Sequence, residues 1–174
     1  MNTLNRNNSV DNLVKAALIA ALYIAATALI APVSFGPIQF RISEVLNLLA
    51  FFNPLYISAV SLGCFIANIL FSPYGLVDAL VGTLHTLVSL ILIWKTRSLL
   101  TASLWPAIMS FIVALGIAYA SGTMAGFIPL YLYIALSELI IVTVIGVPLM
   151  LLLKNSGFID AYIIDPGHKK PVKG

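Results

Sequence analysis

Charge is what this chain has least of. Asp, Glu, Lys and Arg make up 9% of its 174 residues and apolar types 61%, with a mean hydropathy of +1.07. Soluble globular domains carry roughly 25% charged residues, so the composition is that of an integral membrane protein. Cysteine is nearly missing too: Cys64 stands alone, which excludes an intramolecular disulfide and leaves the redox compartment unread. Motifs of phosphate, metal and nucleophile chemistry are absent, with no GxxxxGK[ST], HExxH, paired CxxC or GxSxG. ATP hydrolysis through a phosphate loop is thereby excluded, and no nucleophile and base stand at a spacing that makes an intramembrane enzyme. His85 and His168 form a poor metal pair because His168 lies in a polar tail, so neither a metal nor a cofactor is expected. No inverted repeat is visible, which weakens the case for a self-sufficient secondary transporter.

What is there is a series of apolar runs punctuated by Pro, Gly and charge. Candidate spans are 14–31, 43–53, 54–72, 76–94, 99–120 and 127–153, against the roughly 20 apolar residues a crossing helix needs. The second would rise only about 16 Å as a regular α-helix, so it must tilt, be buried by neighbours, or continue into the third through a kink at Asn53-Pro54. The first apolar run is too long for a signal-peptide core and reads as a retained helix. The expected layout is a polar N-terminal tail over 1–12, a six-helix membrane domain over 13–154 and a polar basic tail over 155–174.

Lys and Arg are enriched on cytoplasmic loops. With six crossings and both termini inside, Arg6, Lys15, Lys95, Arg97, Lys154, Lys169, Lys170 and Lys173 all fall on the cytoplasmic side, leaving Arg41 outside. Fusing the second and third spans would put Lys95 and Arg97 on the wrong face. Topology thus accounts for the net charge of +3, and no nucleic-acid partner is implied.

Ionisable side chains inside a membrane cost about 2.5–3.5 kcal/mol on insertion scales and mark functional sites by default. Here they form stripes. Arg41, Glu44 and Asn47 are spaced i, i+3, i+6; Asp78, Gly82 and His85 i, i+4, i+7; Ser61, Cys64 and Asn68 i, i+3, i+7; Tyr131 and Glu138 are seven apart. Four helices thus each aim polar groups from the outer half, and lipid cannot solvate them, so they should converge on one another or on a water-accessible cavity opening outward. Blander readings stand beside this one. Arg41 and Glu44 also fit an i,i+3 ion pair at a helix end, Asp78 a carboxylate favoured by a helix N-terminus, and His85 a histidine bonding neighbouring helices. Glu138, between "YLYIALS" and "LIIVTVIG", has no cation on its own helix and is the strongest single candidate.

The first helix, "AALIAALYIAATALIA", carries Ala16 and Ala20 on one line and Ala17, Ala21 and Ala25 on the next. Small residues four apart let another helix approach closely in lipid. That helix is either part of the bundle or another membrane subunit.

A small six-helix membrane chain with an alanine-rich first helix, an outward polar cavity and no ATPase resembles an S component, the substrate-binding subunit of energy-coupling factor (ECF) transporters. Within that class, "PIQFRISEVLNLLAFFNP", "LGCFIANILFSPYGLVDALVGTLHT" and the late "SELI" resemble the QueT family over roughly Lys15 to Lys154. The resemblance implies capture of a queuosine precursor, a 7-deazaguanine such as preQ1, from outside a bacterial cell membrane. It further implies docking on a transmembrane coupling subunit driven by two cytoplasmic ATPases, with Ala17 and Ala21 on the docking surface and the subunit toppling in the membrane to carry its cavity across.

The residues suit such a ligand. A guanine-like ring offers N1–H and a 2-amino group as parallel donors that one carboxylate accepts bidentately; Glu138 or Glu44 would supply it. Asp78 would pair with the aminomethyl cation of preQ1, and Asn47, Asn68 and Gln39 offer amide edges. Phe40, Phe51, Tyr131 and Tyr133 are candidates to stack on the ring. Arg41 would hold a carboxylate or bond the ring carbonyl. The irregular stretch 32–42 reads as a loop covering the ligand. The competing function is a self-contained channel or secondary carrier for a polar solute or proton, with Glu138 and His85 as a relay.

Overall fold

The computed structural model describes residues 3–36 and 39–164, the side chains of 3–8 excepted. Pro37, His168, Lys169, Lys170, Lys173 and the side chain of Arg6 lie outside the described residues. Those described are helical, with no strand among them. Among the described residues the longer helical segments are α1 Thr3–Leu29, α2 Ile42–Phe52, α3 Leu55–Phe71, α4 Leu76–Lys95, α5 Leu99–Ala120 and α6 Met124–Asn155, and a short helix, Ala31–Ser34, occupies the start of the stretch 32–42 expected to be irregular. Four of them, α1 from Ser9 onward, α4, α5 and α6, are long and apolar enough to cross a membrane, whereas α2 and α3 are shorter apolar helices. α1 starts eleven residues earlier than its apolar run, so most of the polar stretch 1–12 is helical.

α2 is not a regular α-helix. Ile42–Leu48 is wound as a 3₁₀ helix and only Leu49–Phe52 is α. At about 2.0 Å per residue for the first part and 1.5 Å for the second, α2 rises about 20 Å rather than 16. It does not run on into α3. Asn53 is extended (φ −152°, ψ 124°), as a residue before proline prefers, and its Oδ1 accepts the Leu55 N–H at 2.9 Å. The chain folds back there, so Arg41 at the start of α2 lies level with Asn68 near the end of α3.

Packing follows small residues. A methyl placed on Gly63 of α3 would meet Tyr23 Cβ at 2.9 Å and the Ala20 backbone oxygen at 3.0 Å on α1, so the two helices touch through Gly63. Ala20 is consequently buried and Ala16 half-buried against α3, whereas Ala17, Ala21 and Ala25 are exposed. The alanine-rich helix thus divides into an internal line and an outward line, which removes Ala20 from any surface a second protein would touch. Around the bundle, large apolar side chains such as Leu18, Leu84, Leu132 and Val144 point outward, as lipid rather than water requires.

α6 departs from α geometry in the middle, where Leu139–Gly146 forms a π-helix directly after Glu138. This wide segment packs on the tight 3₁₀ segment of α2, and a methyl on Gly146 would lie 3.0 Å from Leu48 Cδ1. Beyond α6, Gly157 (φ +80°) reverses the chain, a conformation that favours glycine. The following turn, Ile159–Ile163, tucks back under Phe52, and Asn53 Nδ2 donates to the Ile163 carbonyl at 2.9 Å.

Candidate functional site

The polar stripes meet in part: Arg41 and Asn68 both reach Asp78, whereas Tyr131 does not join them. Arg41, Glu44, Asn47, Asn68, Asp78, His85 and Glu138 are each no more than 4% exposed. On a 3₁₀ helix, residues three apart eclipse one another, which is why Arg41, at the cap of α2, Glu44 and Asn47 share one edge.

Arg41 is held by groups outside α2. Its guanidinium lies 3.6 Å from Asp78 Oδ2 on α4, donates to Gln39 Oε1 at 2.6 Å and to the Ser34 carbonyl at 3.3 Å, and sits 4.8 Å from the centre of the Phe35 ring. The expected alternative, an Arg41–Glu44 pair within one helix, is therefore not the arrangement: Arg41 turns to α4. Asp78 also accepts from Ser72 Oγ at 2.6 Å, and its backbone carbonyl accepts from Asn68 Nδ2 at 3.1 Å. Gly82 makes room for this, since a methyl there would sit 2.5 Å from Asn68 Nδ2 and 3.7 Å from Arg41.

From the same edge Glu44 reaches α1 rather than α4. Tyr23 donates its hydroxyl to Glu44 Oε1 at 2.5 Å, and Asn47 Nδ2 donates to Oε2. One turn along α1, Thr27 Oγ1 bonds Ser43 Oγ at 2.8 Å. Tyr23, Thr27 and Ser43 were not expected from the polar stripes. Their signal was present, because Tyr23 and Thr27 extend the Ala16–Ala20 line at helical spacing, but a tyrosine and a threonine among alanines read as filler.

Glu138 stands within electrostatic reach of Glu44 and Arg41, and its Oε2 finds no hydrogen-bond donor among the described residues. Asn47 Oδ1 and Ser34 Oγ are likewise buried without a partner. Ser137, beside Glu138, donates to the Gln39 carbonyl at 3.2 Å, fastening the loop before α2 to α6. Gln39 holds φ +53° there, a conformation non-glycine residues seldom adopt. A buried polar atom without a partner costs about 1–3 kcal/mol, and several such atoms in one cluster point to something that binds there.

Other sequence candidates fall elsewhere. His85 bonds the Pro106 carbonyl through Nε2 at 3.0 Å, which joins α4 to the broken helix α5. Tyr131 stacks on Phe127 with ring centres 6.3 Å apart. Phe51 is buried edge-on against Phe52, Tyr133 is exposed, and Phe40 is half-buried against the core. Cys64 accepts from Thr86 at 3.3 Å and Asn68 at 3.4 Å. Among the described residues, no group of three His, Cys, Asp or Glu is placed to hold a metal ion.

The site is thus a buried polar cluster with three carboxylates, Glu44, Asp78 and Glu138, against one guanidinium. Comparison with known proteins adds three findings. The curated protein named Queuosine precursor transporter QueT, from Lactococcus lactis subsp. cremoris, is 49% identical over 81 residues, 45% of this chain and about half of that relative, 47%. No solved structure matches the chain. The family model described as QueT transporter matches residues 13–155, which take in all six helices but the first turns of α1, and by that match the chain belongs to the QueT transporter family.

Proposed function

We propose that this chain is the substrate-binding membrane subunit of an importer for a queuosine precursor, with the Glu138 cluster as its binding site. The observation that carries the reading is the carboxylate excess together with the partnerless atoms Glu138 Oε2 and Asn47 Oδ1. Both are acceptors, and a 7-deazaguanine presents N1–H and amino donors. Asp78 is engaged by Arg41 and Ser72, and Glu44 by Tyr23 and Asn47, so Glu138 is the carboxylate left for the ligand. The name of the lactococcal relative, a queuosine precursor transporter, supports this substrate class. An aminomethyl cation would offset the excess negative charge, which favours preQ1 over neutral relatives.

In this reading the chain crosses a bacterial cytoplasmic membrane six times with both termini inside, as the bias of Lys15, Lys95, Arg97 and Lys154 favours. α2, with a rise of about 20 Å, crosses only because neighbouring helices bury it. Transport energy comes from ECF partners, a transmembrane coupling subunit and two cytoplasmic ATPases, since the sequence has no phosphate loop of its own. The exposed line Ala17, Ala21 and Ala25 is the face offered to the coupling subunit, and its small side chains suit close helix contact. In this reading the stretch leading into α2, fastened to α4 by Arg41 and to α6 through the Gln39 carbonyl, covers the ligand.

Isothermal titration of the purified chain with preQ1, preQ0, queuine and guanine tests this. The expected result is tight binding of preQ1, weaker binding of preQ0, and weakened binding of both in Glu138→Gln. Folded protein that binds none of the four removes the substrate assignment. ATP-independent uptake by vesicles holding this chain alone would replace it with a self-contained carrier.

A further inference from the structure

The end of the bundle opposite the site has a gap to close. α2 rises about 20 Å, some 10 Å short of a hydrocarbon core of about 30 Å. The chain after α6 lies in that space. Ile159 is completely buried and Ile163 nearly so, both joining Phe52 and Met150 in the main core. Asn53, at the end of α2, holds the segment through the Ile163 carbonyl. A helical turn is about 10–12 Å across with its side chains, which matches the shortfall.

The opposite face of the same turn is apolar and uncovered. Phe158 is 44% and Tyr162 59% exposed, with ring centres 5.0 Å apart. They continue directly from the outward leucines of α6, Leu149, Leu151 and Leu152. From Lys154 onward the chain carries four lysines against two aspartates. An aromatic pair with one hydroxyl tip, continuous with a lipid-facing helix and followed by net positive charge, has the chemistry of a membrane interface.

We propose that residues 157–164 form an interfacial plug: the isoleucine face seals the bundle beneath α2, and Phe158 and Tyr162 lie in the headgroup layer of an anionic bilayer. The plug is independent of which solute the site takes. It makes the short second helix possible, because protein rather than lipid or water fills the space under its end.

Full-length Tyr162→Cys, labelled with bimane and reconstituted in phosphatidylcholine vesicles containing phosphatidylglycerol, tests the placement. Cys64 is buried, so labelling of the unsubstituted chain gives the background. A blue shift in emission is expected, with greater loss of intensity from lipids brominated near the headgroup than from those brominated near the terminal methyl, and little from aqueous iodide. Quenching by iodide as complete as for free label overturns the proposal by placing the face in water. Protection from both iodide and brominated lipid overturns it in favour of a protein cover, and strongest quenching from terminal bromines places the pair too deep. Phe158→Cys serves as the second site if Tyr162→Cys fails to fold.

Discussion

Arg41 and Asp78 are 37 residues apart in sequence and 3.6 Å apart in the fold, both almost completely buried. This pair crosses from the cap of α2 to the first turn of α4. It fixes the depth of one polar stripe against another, which no pairing within α2 would do.

Breaking the pair from one side leaves a buried charge without its partner, a loss of about 3–5 kcal/mol. Asp78→Asn is therefore expected to lower the detergent unfolding midpoint strongly. Adding Arg41→Met to it should recover part of the loss, because the stranded charge is gone. Strictly additive midpoints in the double-mutant cycle would show that the two residues act independently.

Glu138 behaves differently because nothing among the described residues donates to its Oε2. Glu138→Gln is expected to unfold at or above the wild-type temperature while affinity for the proposed ligand, preQ1, falls by about 1.5–3 kcal/mol, the range for a hydrogen bond to a charged group. A variant destabilised as much as Asp78→Asn would assign Glu138 to structure instead of ligand.

The Tyr23 hydroxyl supplies one of the two bonds to Glu44. Tyr23→Phe keeps the buried ring and removes only that donor, so a loss of about 1–2 kcal/mol is expected, toward the upper end for bonds between membrane helices. Denaturation in a mild detergent reads it, with Thr27→Ala, which touches a neutral serine, expected to cost less.

Gly82→Ala forces a methyl to within 2.5 Å of Asn68 Nδ2. Overpacking of this kind costs about 1–3 kcal/mol, and here it also pushes Asn68 off the Asp78 carbonyl. Combining it with Asn68→Ala should relieve most of the cost; a double variant as unstable as the sum of its parts would place the strain elsewhere.

On α1 the outward and inward alanines should separate cleanly. On the proposed importer reading, Ala21→Leu is expected to leave ligand titration unchanged and to abolish co-purification with the proposed coupling subunit, whereas Ala20→Leu, which collides with α3 at Gly63, should unfold the chain. Retained co-purification in Ala21→Leu would move the docking face off this line.

The helices were largely legible from the sequence. Hydropathy and Pro or Gly punctuation placed five of the six to within a few residues, because lipid demands long apolar runs. α1 began early because nothing in an asparagine-rich stretch stops a helix that is already propagating. The polar cluster was legible as membership and not as pairing. Arg41, Glu44 and Asn47 stood out by being charged or polar where charge is scarce, yet their partners Asp78 and Tyr23 come from other helices, whose rotation no local pattern encodes. Tyr23 and Ser34 were invisible for the opposite reason: a tyrosine or serine in a membrane helix is ordinary, and only contact shows its role. The π-helix after Glu138 left no mark in "LIIVTVIG", where every residue also suits an α-helix.

The 3₁₀ winding of Ile42–Leu48 also constrains how this stretch can vary. With three residues per turn, deleting or inserting one residue between Arg41 and Asn47 rotates everything beyond it by about 120°. Glu44 and Arg41 would then no longer point into the same cluster, however apolar the segment remained. Gain or loss of three residues keeps the phase and moves the edge by about 6 Å. A change of length is therefore costly along this helix even where the new residues are apolar, so its spacing should be held as strictly as the buried side chains it positions.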